Sequence, residues 1–130
     1  MKKLTVLLLA VLITGCSSIS SLTDMIPSRW DANQAKIITD LQQDARHFNC
    51  AGDQLSQLNR LAADAEWFEL YSASKGTKDV AELTKTVENT IKEFQDRIKQ
   101  GPVSPIYCDL KQKLIIQQTD IVAKTVQGRF

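Results

Sequence analysis

One histidine, three cysteines and no stretch that alternates apolar with polar residues are the first limits on what these 130 residues can be. A metal site needs about four ligands, and a single histidine with so few cysteines leaves the supply short. No glycine-rich phosphate loop, serine-centred nucleophile elbow or dinucleotide fingerprint occurs, so nucleotide chemistry and serine hydrolysis have no visible machinery. The lack of a period of two argues against β-sheet. Charge of one sign is also missing: 16 basic residues face 15 acidic ones, which gives nucleic acid nothing to hold. The expectation is a chain without cofactor, metal or catalytic residues.

What is there begins at the N-terminus. Met1, Lys2 and Lys3 precede an apolar run from Leu4 to Ile13 broken only by Thr5. A short basic start followed by such a run is an export signal. At ~1.5 Å of rise per residue the run spans about half of a ~30 Å hydrocarbon core, too little for a permanent membrane span. Ile13-Thr14-Gly15-Cys16 then places a branched apolar residue and two small ones directly before a cysteine.

This segment resembles the lipobox of bacterial lipoproteins at every position. The resemblance implies that residues 1–15 are removed as a signal peptide, that Cys16 is diacylated, and that its new amine receives a further chain such as palmitate. Each buried methylene contributes about 0.8 kcal/mol, so two or three chains anchor a protein to membrane lipid stably where one does not. With Ser17 rather than Asp after the anchor, the sorting behaviour of that family implies the outer membrane, with the protein facing the periplasm. Losing two signal lysines leaves 14 basic residues against 15 acidic ones, and nothing in that balance attracts anionic lipid headgroups.

With Cys16 committed to lipid, Cys50 and Cys108 remain as a pair in an oxidising compartment, which is most simply a disulfide. The intervening loop of 58 residues gives about 4 kcal/mol in the loop-closure model. That is a large share of the ~5–15 kcal/mol that holds a small domain together.

Residues 16–29 are serine-rich and without period, as expected of a lipidated N-terminus and tether. Residues 30–130 form the helical domain. The first helix is expected from Trp30 or Asp31 to about Phe48, with Asp31 and Gln34 as a capping pair and Ile38, Leu41, Ala45 and Phe48 as its apolar stripe. A second follows Gly52-Asp53, carries Leu55, Leu58, Leu61, Ala62, Ala65 and Phe68, and closes at Lys75-Gly76. The third starts at Thr77 to Asp79, repeats Val80, Leu83, Val87, Ile91, Phe94 and Ile98, and stops at Gly101-Pro102. On its exposed side Glu88 with Lys92 and Glu93 with Arg97 are spaced to pair. The fourth opens at Ser104-Pro105 and runs past Leu110, Leu114, Ile115, Ile121 and Val122 to about Val126. The pattern predicts an all-α, four-helix up-down bundle, in which Cys50 and Cys108 fall at the same end.

Two features exceed what a single core absorbs. Trp67, Phe68, Leu70 and Tyr71 wrap around more than one face of the second helix, which makes Trp67, Phe68 and Tyr71 candidate partner-binding residues. Leu114-Ile115-Ile116 cannot all lie on one stripe. His47, three residues before Cys50, invites a thiol or metal reading that the oxidised cysteines remove, and Glu66 and Glu69 beside Trp67-Phe68 read as a solvated face rather than a general acid.

The order lipobox, tether, helix, cysteine, helix and a second cysteine opening a last helix is similar to the small helical pilotin lipoproteins that escort secretins of type II secretion to the outer membrane. The likeness covers architecture and cysteine placement over residues 30–130, with no shared side-chain motif. It implies a groove that captures a helical secretin segment, and a secretin as the otherwise unknown protein partner. A periplasmic immunity protein and an envelope accessory factor without chemistry fit the same features.

Overall fold

Three of the four helices begin where a side chain takes over unpaired backbone donors, while Thr77 at the start of the third makes no such bond. In the computed structural model, which describes residues 30–129, α1 spans Ala32–His47, α2 Gln54–Ser74, α3 Lys78–Lys99 and α4 Pro105–Gln127. The signal segment, Cys16 and the tether lie outside the described residues. The Asp31 carboxylate accepts from the backbone N–H of Asn33 and Gln34 at 2.8 and 3.2 Å, Asp53 from Ser56 at 3.0 Å, and the Ser104 hydroxyl from Tyr107 at 3.2 Å with Pro105 in the first turn.

The capping pair read from the sequence is half right. Asp31 caps α1, but Gln34 does not reach back to it. Instead Gln34 turns inward, wholly buried, and its amide donates to the hydroxyls of Ser72 and Thr77 at 3.2 and 2.7 Å.

Helix α2 stops because Gly76 adopts φ +72°, a backbone conformation that other residues resist. The N–H of Thr77 returns to the Ser72 carbonyl and that of Gly76 to Ala73, both at 3.0 Å, so the last turn's free acceptors are satisfied. At the other turn of α3, Gly101 at φ +143° and Pro102 end the helix as expected.

The buried residues repeat at spacings of three, four or seven along the helices: Ile38, Leu41, Ala45 on α1; Leu58, Leu61, Ala65, Phe68 on α2; Val80, Val87, Ile91, Phe94 on α3; Cys108, Ile115, Val122, Val126 on α4. An average near 3.5 keeps one seam facing the bundle axis, as in coiled coils. Helix α1 packs on α2 and α4, and α3 packs on the same two, with no diagonal pair. Among the described residues there are four helices and no strand, so the fold is an all-α, up-down four-helix bundle. Buried Thr84, Thr90 and Thr119 return their hydroxyls to carbonyls of their own helix, so they enter the core without an unpaired donor.

At one end Cys50 and Cys108 are joined, their Cα atoms 6.0 Å apart, within the ordinary range for a disulfide. Phe48, Phe94 and Tyr107 pack beside it with ring centroids 5.8 and 5.7 Å apart. Gln112 of α4 reaches the carbonyl of Phe48 at 2.9 Å and closes the end of α1. Arg97 does not pair with Glu93 across one turn as the spacing suggested. Its guanidinium lies over the Tyr107 ring, and Glu93 bridges to Lys111 of α4 at 3.0 Å, because the neighbouring helix offers partners that an isolated helix lacks.

Candidate functional site

The lining of the core accounts for one face of α4, yet a second row of large apolar side chains runs along its outside. Ile106, Leu110, Leu114 and Ile121 are 74%, 60%, 39% and 46% exposed. At 100° per residue all four fall within an arc of about 80°, and they span roughly 22 Å of helix. Exposed Gln117 falls within that arc and Lys124 at its edge, with Lys113 bordering it on one side and Tyr107 and Thr125 on the other. Helix α3 shows the contrast: its large apolar residues serve the core, and none of them is among the exposed ones. A helix apolar on two faces has a face without cover in the bundle.

The sequence pattern held this row only in part. Leu114-Ile115-Ile116 resolves into an exposed residue, a buried one and a half-buried one, as three consecutive residues must. Leu110 and Ile121, grouped by the pattern with Ile115 and Val122 as one apolar series, belong to the outer row, and Ile106 extends that row by one turn. The overlooked signal is that 106, 110, 114 and 121 make a series of their own beside 108, 115, 119, 122 and 126.

A second exposed cluster lies on α2, toward the end where α1 begins. Trp67 is 53% exposed and stacks on Tyr71, ring centroids 5.4 Å apart, while Leu70 beside them is 60% exposed. The Tyr71 hydroxyl donates to Asp31 at 3.2 Å, and Lys75 sits 5.3 Å from the centre of its ring. Trp30, next to Asp31, is 52% exposed. Phe68 corrects the sequence reading: it is wholly buried at the α2 seam, a core residue and no surface anchor, because 68 continues the series 58, 61, 65.

Electrostatics at this cluster hold its geometry. Partial burial opposes charge on Asp31, but the N–H groups of Gln34 and Asn33, the Tyr71 hydroxyl and the Lys75 charge outweigh it, so the carboxyl lies below its ordinary value. At the same end Asp79 is held low in the same way, burial being outweighed chiefly by its bond to Arg129.

Between α2 and α3 runs a shallow groove of about 230 Å³ lined by Glu66, Glu88, Lys92 and Lys99 among others. Glu88 is pushed above its usual range by burial and by the charges of Glu69 and Glu66, and one of its carboxylate oxygens has no hydrogen-bond partner. Lys92 does not satisfy that oxygen, although the spacing of four suggested a pair. Glu69 faces Lys85 at 3.7 Å. The groove thus contains ionisable side chains but no hydroxyl or thiol nucleophile.

His47 is exposed at the last position of α1. Among the described residues no cluster of three or more His, Cys, Asp or Glu side chains could hold a metal ion, and no helix is long and apolar enough to cross a membrane. No protein-family model, curated protein or solved structure matches the chain.

Proposed function

We propose that this chain is an outer-membrane lipoprotein, held by an acylated Cys16 and facing the periplasm, that works by binding a protein and carries out no catalysis. Its role would be that of a pilotin-like escort or assembly factor of a secretion system. The observation that carries the binding role is the outer row of α4. Four large apolar side chains aligned over roughly 22 Å match what an amphipathic helix presents when it lies along another helix. Large exposed apolar patches mark interaction surfaces more often than idle ones. The export signal and the lipobox-like Ile13-Thr14-Gly15-Cys16 support the address.

Two variants test this reading. Cys16→Ala should leave the protein and its partner away from the outer membrane. Leu110→Asp should leave the address intact while removing the partner from material captured out of detergent-solubilised membranes. A partner that reaches the outer membrane without the lipidated protein sinks the escort role. Capture of a toxin delivered from another cell, with no resident envelope partner, would replace it with immunity.

A further inference from the structure

Trp30 stands at the end of the bundle where α1 begins, and Leu70 and Trp67 line the side of α2 one and two turns short of that end, Trp67 about 10 Å from Ser74. Residue 30 leads into α1, and the first residues of α1 meet the last turn of α2 through Asp31 with Tyr71 and Gln34 with Ser72. Helix α3 starts there at Thr77, and α4 ends there through Arg129 with Asp79. The disulfide closes the opposite end.

We propose that this end docks on the lipid surface itself, with Trp67, Leu70, Tyr71 and Trp30 entering the headgroup layer beside the acyl anchor. The proposal rests on the lipid-anchor reading above and adds an orientation to it. Trp30 stands 14 residues from Cys16. At no more than ~3.6 Å per residue, a chain of that length reaches at most about 50 Å. The tether therefore keeps this end within reach of the bilayer, and a contact too weak to hold a free protein becomes an intramolecular one.

The side chains fit that environment. Tryptophan and tyrosine have an apolar body and a polar tip, which is why they collect at membrane interfaces, and lysine can lay its stem along apolar surface with its charge in water. Tyr71 shows this arrangement, its ring between Trp67 and Lys75 and its hydroxyl on Asp31. The charged groups around the patch are mixed: Asp31, Glu66 and Glu69 against Lys75 and Lys85. That mixture gives no preference for anionic headgroups, so the surface expected is a zwitterionic one.

The chain has two tryptophans, so Trp30→Phe leaves Trp67 as the sole indole. The lipidated variant would be reconstituted on phosphatidylcholine vesicles with and without bromine on the upper acyl carbons. Flotation reports the anchor, and Trp67 emission reports the docking. The expected result is protein that floats, with Trp67 emission shifted to the blue and strongly quenched by the brominated lipid, both effects being lost on adding Leu70→Asp. Protein that floats with Trp67 unshifted and unquenched overturns the docking while leaving the anchor in place, and returns the patch to a protein partner. Protein that does not float overturns the anchor and the docking together.

Discussion

The two ends of this bundle are closed by different forces. At one, a covalent bond between Cys50 and Cys108 sits against Phe48, Phe94 and Tyr107, and Gln112 completes the end of α1. At the other, closure is polar: Gln34 to Ser72 and Thr77, Asp31 to Tyr71, Arg129 to Asp79. A hydrogen bond contributes about 1 kcal/mol net, whereas burying a large side chain contributes about 1.5–3 kcal/mol. Val80 and Val126 are wholly buried at the polar end as well, so what sets the disulfide end apart is its covalent constraint, and opening is expected to start from the end where α1 begins. Under the proposed anchor, the softer end is the one that meets the membrane.

The sharpest way to break this comparison is Phe94→Ala, expected to cost about 3–5 kcal/mol because the ring is fully buried beside the disulfide. Cys50→Ser with Cys108→Ser should cost about 2–4 kcal/mol in urea unfolding and leave helix content by circular dichroism unchanged. An unchanged unfolding midpoint would mean that the bond is absent or structurally idle.

A smaller effect is expected at the polar end. Asp31→Ala removes a helix cap and should cost about 1 kcal/mol at pH 7. The folded-state pKa of Asp31 is depressed, so its contribution is present above the unfolded value of about 3.9 and is lost as pH falls through the folded one. The gap between Asp31→Ala and the parent should therefore close below about pH 4. A gap of constant size from neutral to acid pH would show that the carboxylate's charge plays no part.

Glu88 carries the opposite sign and the smallest effect. Its folded pKa is raised by burial and by Glu69 and Glu66, so protonation favours the fold and stability from this group rises as pH falls toward its unfolded value. Glu88→Gln should stabilise the bundle at pH 7 by under about 1 kcal/mol, since the groove is open to solvent, and the gain should shrink toward pH 4. Destabilisation at pH 7 would show instead that the carboxylate is held by a favourable partner.

Helix boundaries were legible because their chemistry is local. Asp53, Ser104-Pro105 and Lys75-Gly76 act through bonds within a few residues, and the structure uses each as the pattern suggested. The cysteine pairing followed from counting, since only Cys50 and Cys108 are left once Cys16 is set aside for lipid, and the up-down topology agreed by placing both at one end. Gln34 was misread because its partners lie 38 and 43 residues away. Phe68 and the α4 row fail for different reasons. On α2 periodicity places Phe68 in the core series with 58, 61 and 65, and only its exposed neighbours Trp67 and Tyr71 draw it into the surface set. On α4 periodicity shows that apolar residues share a face, but not which of two series meets the core, and two faces fold into one.

The claim that this bundle works through the outer face of α4 is tested most directly by photocrosslinking in intact cells. A photoreactive residue would replace Leu110 on α4 in one strain and the exposed Thr86 on α3 in another. The account predicts one discrete adduct from position 110, absent from position 86 and lost when Cys16→Ala removes the anchor. Adducts common to both positions, or none at 110, would contradict it.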